Sequence, residues 1–207
     1  MGYFTYLIDN YDNLPSTIAF LHAHRNGFLK AWHTDTPLHD NVYAMQHLQI
    51  DWVQQNGYVN LRCKWNPGCK KSQRQRTKGH ITSEIWQSVF NETSTCPPRN
   101  NSSLDDASLS QNNPSRDLTV QSGANPWSLP DEIGVACCAQ FVVSRDHVLR
   151  RPKEDYIRFR RWVLETDLND AKSGRVMEYL WHIIFGMDSV YCPDEKECYC
   201  RVYGFCD

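Results

Sequence analysis

From Ser173 to Gly186 the chain reads SGRVMEYLWHIIFG. The apolar residues would cover most sides of a helix, which predicts a segment packed in the interior. Three polar side chains ride on it: Arg175, Glu178 and His182. At 100° per residue they fall within about 60° of arc. Charged groups on a buried helix are costly unless they pair or face a polar cleft. This stretch therefore either holds an internal ion-pair network or forms one wall of a site. Glu178 is the leading candidate for a general base, because burial raises a carboxylate's pKa toward neutrality.

A chain of 207 residues with 41% hydrophobic content and seven tryptophans suits one folded domain with a real core. The formal net charge of −2 gives no global drive toward nucleic acid. Local basic clusters do exist, at Lys64–Lys78 and at Arg145, Arg150, Arg151, Lys153, Arg158, Arg160 and Arg161. No apolar run is long enough for a membrane span, and the N-terminal residues MGYFTYLIDNYDNLP lack the pattern of a signal peptide. These features imply a cytoplasmic protein without a membrane partner. The nine cysteines and the sequons at Asn91, Asn100 and Asn101 pull toward an oxidising compartment.

Helical spacing is expected over residues 3–14, 40–55, 83–90, 153–166 and 173–186, with Asp40 as an N-cap. Thr17–Arg25 alternates as a strand, with His22 and His24 on one face. YVNLRC reads as a short strand, residues 66–80 as loop, and Gly134–Ser144 as one continuous buried strand. A polar, flexible insertion is expected at about 92–131. The alternation predicts an α/β fold: a single-domain layered sheet with flanking helices over residues 1–207, ending in a Cys-rich tail.

Three constellations are candidates for chemistry. His22, His24, His33 and Asp35 lie within HAHRNGFLKAWHTD, as a metal-ligand pair or as a base with its orienting group. The Arg175, Glu178, His182 stripe is the second. The third is the cysteine set, where Cys192, Cys198, Cys200 and Cys206 lack a usual zinc spacing. Disulfides within the tail, or from it to Cys63 or Cys69, are expected where the compartment allows. Cys137 and Cys138 read as small hydrophobes of a buried strand. The chain has no P-loop, no Gly-rich dinucleotide turn, no G-x-S-x-G and no D-x-D, so neither ATP- nor NAD-dependent chemistry is expected, and no cofactor or metal is called for.

The blocks YDNLPSTIAFLHAHR, GYVNLRCKWNPGC, ACCAQFVVSRD and SGRVMEYLWHIIFG, followed by CP and a YG-x-C ending, together resemble a fungal family catalogued as a domain of unknown function. That family is similar to the one containing the arginine-containing cyclodipeptide synthases. The resemblance implies an enzyme that joins arginyl-tRNA and a second aminoacyl-tRNA into a cyclic dipeptide, in secondary-metabolite clusters whose other enzymes act downstream. It implies His22, His24, His33, Asp35, Glu178 and His182 as the pool of catalytic side chains. Arg25, Arg145, Arg150, Arg151 and Arg175 are implied as substrate-binding. The D-D-x-x-E pentapeptide associated with the synthases does not occur, since Asp105-Asp106 is followed by Ala-Ser-Leu. The family also places a strand and an N-K-G-R-E-A-like segment before the first helix, whereas this chain begins inside that helix. The alternatives are a glycosyltransferase-like enzyme, and an inactive, truncated, disulfide-stapled family member.

Overall fold

The computed structural model describes residues 2–77, 79–90 and 129–206. The polar insertion expected at about 92–131 lies almost wholly outside them, together with its sequons, Cys96 and Asp105-Asp106. In chain order the elements are α1 (Gly2–Asp9), β1 (Thr17–Phe20), α2 (Phe28–Ala31), α3 (Asn41–His47), α4 (Ile50–Asn56), β2 (Tyr58–Asn60), α5 (Lys71–Thr77), α6 (Ser83–Phe90), β3 (Gly134–Val135), β4 (Phe141–Ser144), α7 (Arg145–Val148), α8 (Lys153–Glu165), α9 (Asp170–Ile184), β5 (Val190–Tyr191) and α10 (Glu195–Tyr203).

The expected α/β architecture is present. β4 is the central strand of a three-stranded antiparallel sheet ordered β1-β4-β2, and β3 pairs with β5 in a small parallel sheet. All four β4 residues are buried. Successive side chains of a strand point to opposite faces, so β4 feeds two cores. Phe141 and Val143 pack with side chains of α1, α6, α8 and α9. Val142 packs on the other face with Ala44 of α3, Val53 of α4 and Val202 of α10. The first core is dense in aromatic rings: Trp181 of α9 lies 4.5 Å from Phe4 and 5.3 Å from Phe141, centroid to centroid. The second is stapled. Cys63–Cys198 and Cys69–Cys192 tie the segment after β2 to α10 and to the residue following β5, and Cys200–Cys206 closes the tail. These pairings match the expected links among the tail cysteines and from them to Cys63 and Cys69.

Several boundaries differ from the sequence expectation, each for a local reason. β1 stops at Phe20 because the His22 N–H turns to the side chain of Gln140, so His22 and His24 sit in a loop and not on a strand face. The helix expected over 40–55 is broken into α3 and α4. Leu48 and Gln49 adopt extended backbone there, and Gln49 N–H donates to the Val202 carbonyl. Asp40 caps α3 as expected, accepting from the N–H groups of Val42 and Tyr43. Residues 71–77 form α5 within the stretch read as loop. The run from Gly134 to Ser144 is two strands separated by a bend. There Cys137 and Cys138 are joined to each other, and Cys138 and Ala139 take positive φ values of 93° and 48°. They are not independent hydrophobes of one strand.

Gly57 ends α4 with φ +81°, and its N–H caps the Val53 carbonyl. A Cβ at this position would lie 2.0 Å from Nε2 of the buried His147 ring. Gly57→Ala is therefore expected to cost about 2–4 kcal/mol through backbone strain and overpacking. Urea unfolding would read this as a lower midpoint, and an unshifted midpoint would contradict the packing described.

Candidate functional site

The register of the sheet sets the site. Phe141, the first residue of β4, pairs with Phe20 at the end of β1 and with Asn60 at the end of β2. The segments 21–40, 61–69 and 136–140 therefore leave the sheet at one end. They bring His22, His33, Asp35, Arg62, the Cys137–Cys138 bend and Gln140 to that end.

His22 and His33 share a hydrogen bond of 2.9 Å between Nδ1 of the first and Nε2 of the second. One ring nitrogen donates and the other accepts, so the accepting ring is neutral. Burial, then the neighbouring charges of His22, Arg62, His24 and His39, lower the His33 pKa to about 4. Burial and His24 lower that of His22 as well. A polar chain holds this pair in place. Gln140 Oε1 accepts from the His22 N–H at 2.9 Å, and Gln140 Nε2 donates to Thr34 Oγ1 at 3.2 Å. The Thr34 hydroxyl donates to Asn41 Oδ1 at 2.7 Å, and Asn41 Nδ2 donates to the His24 carbonyl at 2.8 Å. His24 itself is exposed on the rim of an open cleft of about 430 Å³, beside Arg25 and Met45.

Asp35 does not orient His33. Its buried carboxylate accepts from the N–H groups of Cys63 and Lys64, both at 2.9 Å. It also faces Arg62 at 3.5 Å and Lys64 at 3.8 Å. The Arg62 guanidinium lies over Trp32, 5.2 Å from the ring centroid, and donates to the Asn66 carbonyl. Asp35 thus fixes the segment after β2 instead of holding a base. Next to it is a cavity of about 210 Å³ walled by Arg62, Trp52, Trp65, Tyr191 and the Cys63–Cys198 bridge.

The stripe on α9 divides. Glu178 reaches the bend: one carboxylate oxygen accepts from the Cys138 N–H at 2.6 Å and the other pairs with Arg175 at 2.9 Å. His182 points into the core, fully buried, with Nε2 donating to the Ser189 carbonyl at 3.1 Å. Burial is the main cause that lowers its pKa to about 4.

The arginines separate likewise. Arg151 is structural, donating to the carbonyls of Ile183 and Ile184 at the end of α9 and pairing with Asp155, which Arg158 also meets. Arg145 and Arg150 are exposed. They follow the far end of β4, where the Arg145 N–H meets the Ser16 carbonyl, and so lie opposite the histidine pair. Arg62, Gln140 and the two cavity tryptophans were not among the candidates read from sequence. Gln140 had a signal, as a lone polar side chain inside the apolar run VACCAQFVV.

The family model described as "Protein of unknown function (DUF3431)" matches residues 1–201. The chain belongs to that family. No curated protein and no solved structure matches it. No helix among the described residues of this DUF3431 member is long and apolar enough to cross a membrane.

The buried His182 gives a pH test. Its folded pKa, about 4, lies below the ordinary 6.5. The unfolded chain therefore binds the extra proton between those values. The stability tied to a neutral His182 is complete above pH 6.5 and is lost as pH falls toward 4, by about 3 kcal/mol. His182→Gln keeps a donor for Ser189 and removes the titration. Its unfolding free energy is expected to fall less steeply over that window than that of the parent protein. Equal slopes would contradict the assignment.

Proposed function

We propose that this DUF3431 member is an arginine-containing cyclodipeptide synthase. The observation that carries the reading is the hydrogen-bonded imidazole pair, His22 and His33, at the open end of a sheet, where burial lowers both pKa values. An aminoacyl-tRNA ester is already activated, so the reaction needs no nucleotide site. It needs positioning, proton transfer and stabilisation of a tetrahedral oxyanion.

In the proposed cycle, the α-amine of one aminoacyl group attacks the ester carbon of the other. The C–O bond to that tRNA breaks, and the released ribose oxygen takes up a proton. The new dipeptide, still esterified to the second tRNA, closes on itself by the same step and frees that tRNA. In each tetrahedral intermediate the attacking nitrogen is cationic and strongly acidic. A weakly basic imidazole is then a competent proton acceptor, and the His22–His33 contact passes the proton between rings. Both oxygens of Glu178 are engaged, so the base role falls to the histidines and not to Glu178. Arg25 at the histidine end, and Arg145 and Arg150 at the other, offer exposed cations for acceptor-stem phosphates. They are separated by roughly the 13 Å of a four-residue strand. The reading includes a cytoplasmic setting, where charged tRNAs occur, and downstream enzymes that modify the cyclic product.

Purified protein given arginyl-tRNA and each of the other aminoacyl-tRNAs in turn is expected to yield an Arg-containing cyclic dipeptide by mass spectrometry. RNase should abolish it, and His33→Ala should slow it about 10²–10⁴-fold. No product with any partner would reject the synthase.

A second reading is supported by one observation: among the described residues, eight cysteines lie in four bonded pairs. It is a disulfide-stapled, non-enzymatic protein of an oxidising compartment. Alkylation of thiols in acid-quenched cells separates the two. The cytoplasmic synthase should show most of its nine cysteines reduced, and the stapled protein a single free thiol.

A further inference from the structure

The bend between β3 and β4 joins two adjacent cysteines, and it stands on supports other than their bond. The Cys137 N–H donates to the Pro67 carbonyl at 3.1 Å. Asn60 Nδ2 donates to the Ala136 carbonyl at 2.8 Å. The Cys138 N–H is held by Glu178, and Gln140 is held by the His22 N–H. Gly68 passes so close that a Cβ there would lie 1.9 Å from the Val135 carbonyl oxygen. In an extended chain neighbouring side chains diverge to opposite faces. Here the backbone bends, with Cys138 at φ 93°, and both sulfurs, bonded to each other, lie near the Glu178 carboxylate. Cutting the S–S bond thus leaves two thiols on a backbone that other groups still fix.

The Glu178 carboxylate and the sulfurs of Cys137 and Cys138 lie within 4.8 Å of one another, the only such set of three His, Cys, Asp or Glu donors among the described residues. Two thiolates and a carboxylate suit a soft or borderline divalent cation, with the fourth tetrahedral position left for water or another ligand.

We propose that Cys137, Cys138 and Glu178 form a thiol-gated site for such a cation, with zinc(II) as the reference ion. While the sulfurs are bonded to each other they are poor ligands and the site is closed. A phosphine reductant opens it: phosphorus takes the oxygen of one water and gives two electrons to the disulfide, and the two protons of that water go to the sulfurs. Zinc then binds both sulfurs as thiolates and releases two protons to solvent. Arg175, now paired with the Glu178 carboxylate at 2.9 Å, is the competitor that the ion must displace. The proposal does not depend on the acyl-transfer reading, because it concerns only these donors.

The test uses the whole protein, with zinc content read by competition with a chromogenic chelator and cobalt(II) as a spectroscopic stand-in. Phosphine-reduced protein is expected to bind one more zinc than the oxidised form and to show sulfur-to-cobalt charge-transfer absorption. That equivalent should vanish in C137S/C138S and persist in C200S/C206S. On an intact bend, Glu178→Gln should weaken binding at least tenfold, and Arg175→Ala should tighten it several-fold. Both single variants keep the proposal falsifiable if C137S/C138S fails to fold. Zinc uptake that is unchanged by C137S/C138S or by Glu178→Gln, or no uptake after reduction, would overturn it.

Discussion

The buried amide of Gln140 is the contact on which the sheet end depends. It sits one residue before β4, and its oxygen stops β1 by taking the His22 N–H that would otherwise continue the strand. Its nitrogen meets Thr34, which fixes Asn41 and through it the His24 carbonyl. A buried amide left unpaired costs about 1–3 kcal/mol, so the 21–41 loop and the bend before β4 are specified together. The histidine pair is a product of that coupling: His22 follows the strand it ends, and His33 precedes the threonine it anchors.

The two-faced burial of β4 explains why a sheet this small holds its shape. A hairpin or three short strands alone would be marginal in water. Here Phe141 and Val143 are covered by an aromatic-rich helical layer, and Val142 by a second layer that the Cys63–Cys198 disulfide ties to the segment after β2. The polar side chains of the candidate site therefore gather at the end of the strands, where the chain leaves the sheet. Asp35 and Glu178 contribute by fixing backbone N–H groups of adjoining segments, a stabilising role that also sets how those segments enter the site.

Much of this was legible in the sequence. The apolar periodicity of α8 and α9, the Asp40 cap and the α/β class follow from local pattern, and the cysteine set offered links from the tail to Cys63 or Cys69 as one option beside bonds within it. What escaped was decided by tertiary partners. The alternation of Thr17–Arg25 runs past Phe20 without a signal, because the break comes from a side chain 118 residues away in sequence. The helical pattern over 40–55 likewise hides the break at Leu48–Gln49, where the partner is the Val202 carbonyl. On α9, residues within one arc met different surroundings: Glu178 faces the bend, whereas His182 is enclosed by the core. Periodicity gives the face of a helix but not what lies against each turn of it.

Burial and a mutual hydrogen bond hold the His22–His33 pair below the ordinary imidazole pKa at the sheet end. Nitrogen-15 NMR of the imidazoles, followed from pH 8 to pH 3, tests this most directly. His33 is expected to titrate near 4 and His22 below the ordinary imidazole value, with the protonation of one ring shifting the signal of the other. Independent titration of both rings near 6.5 would contradict the account.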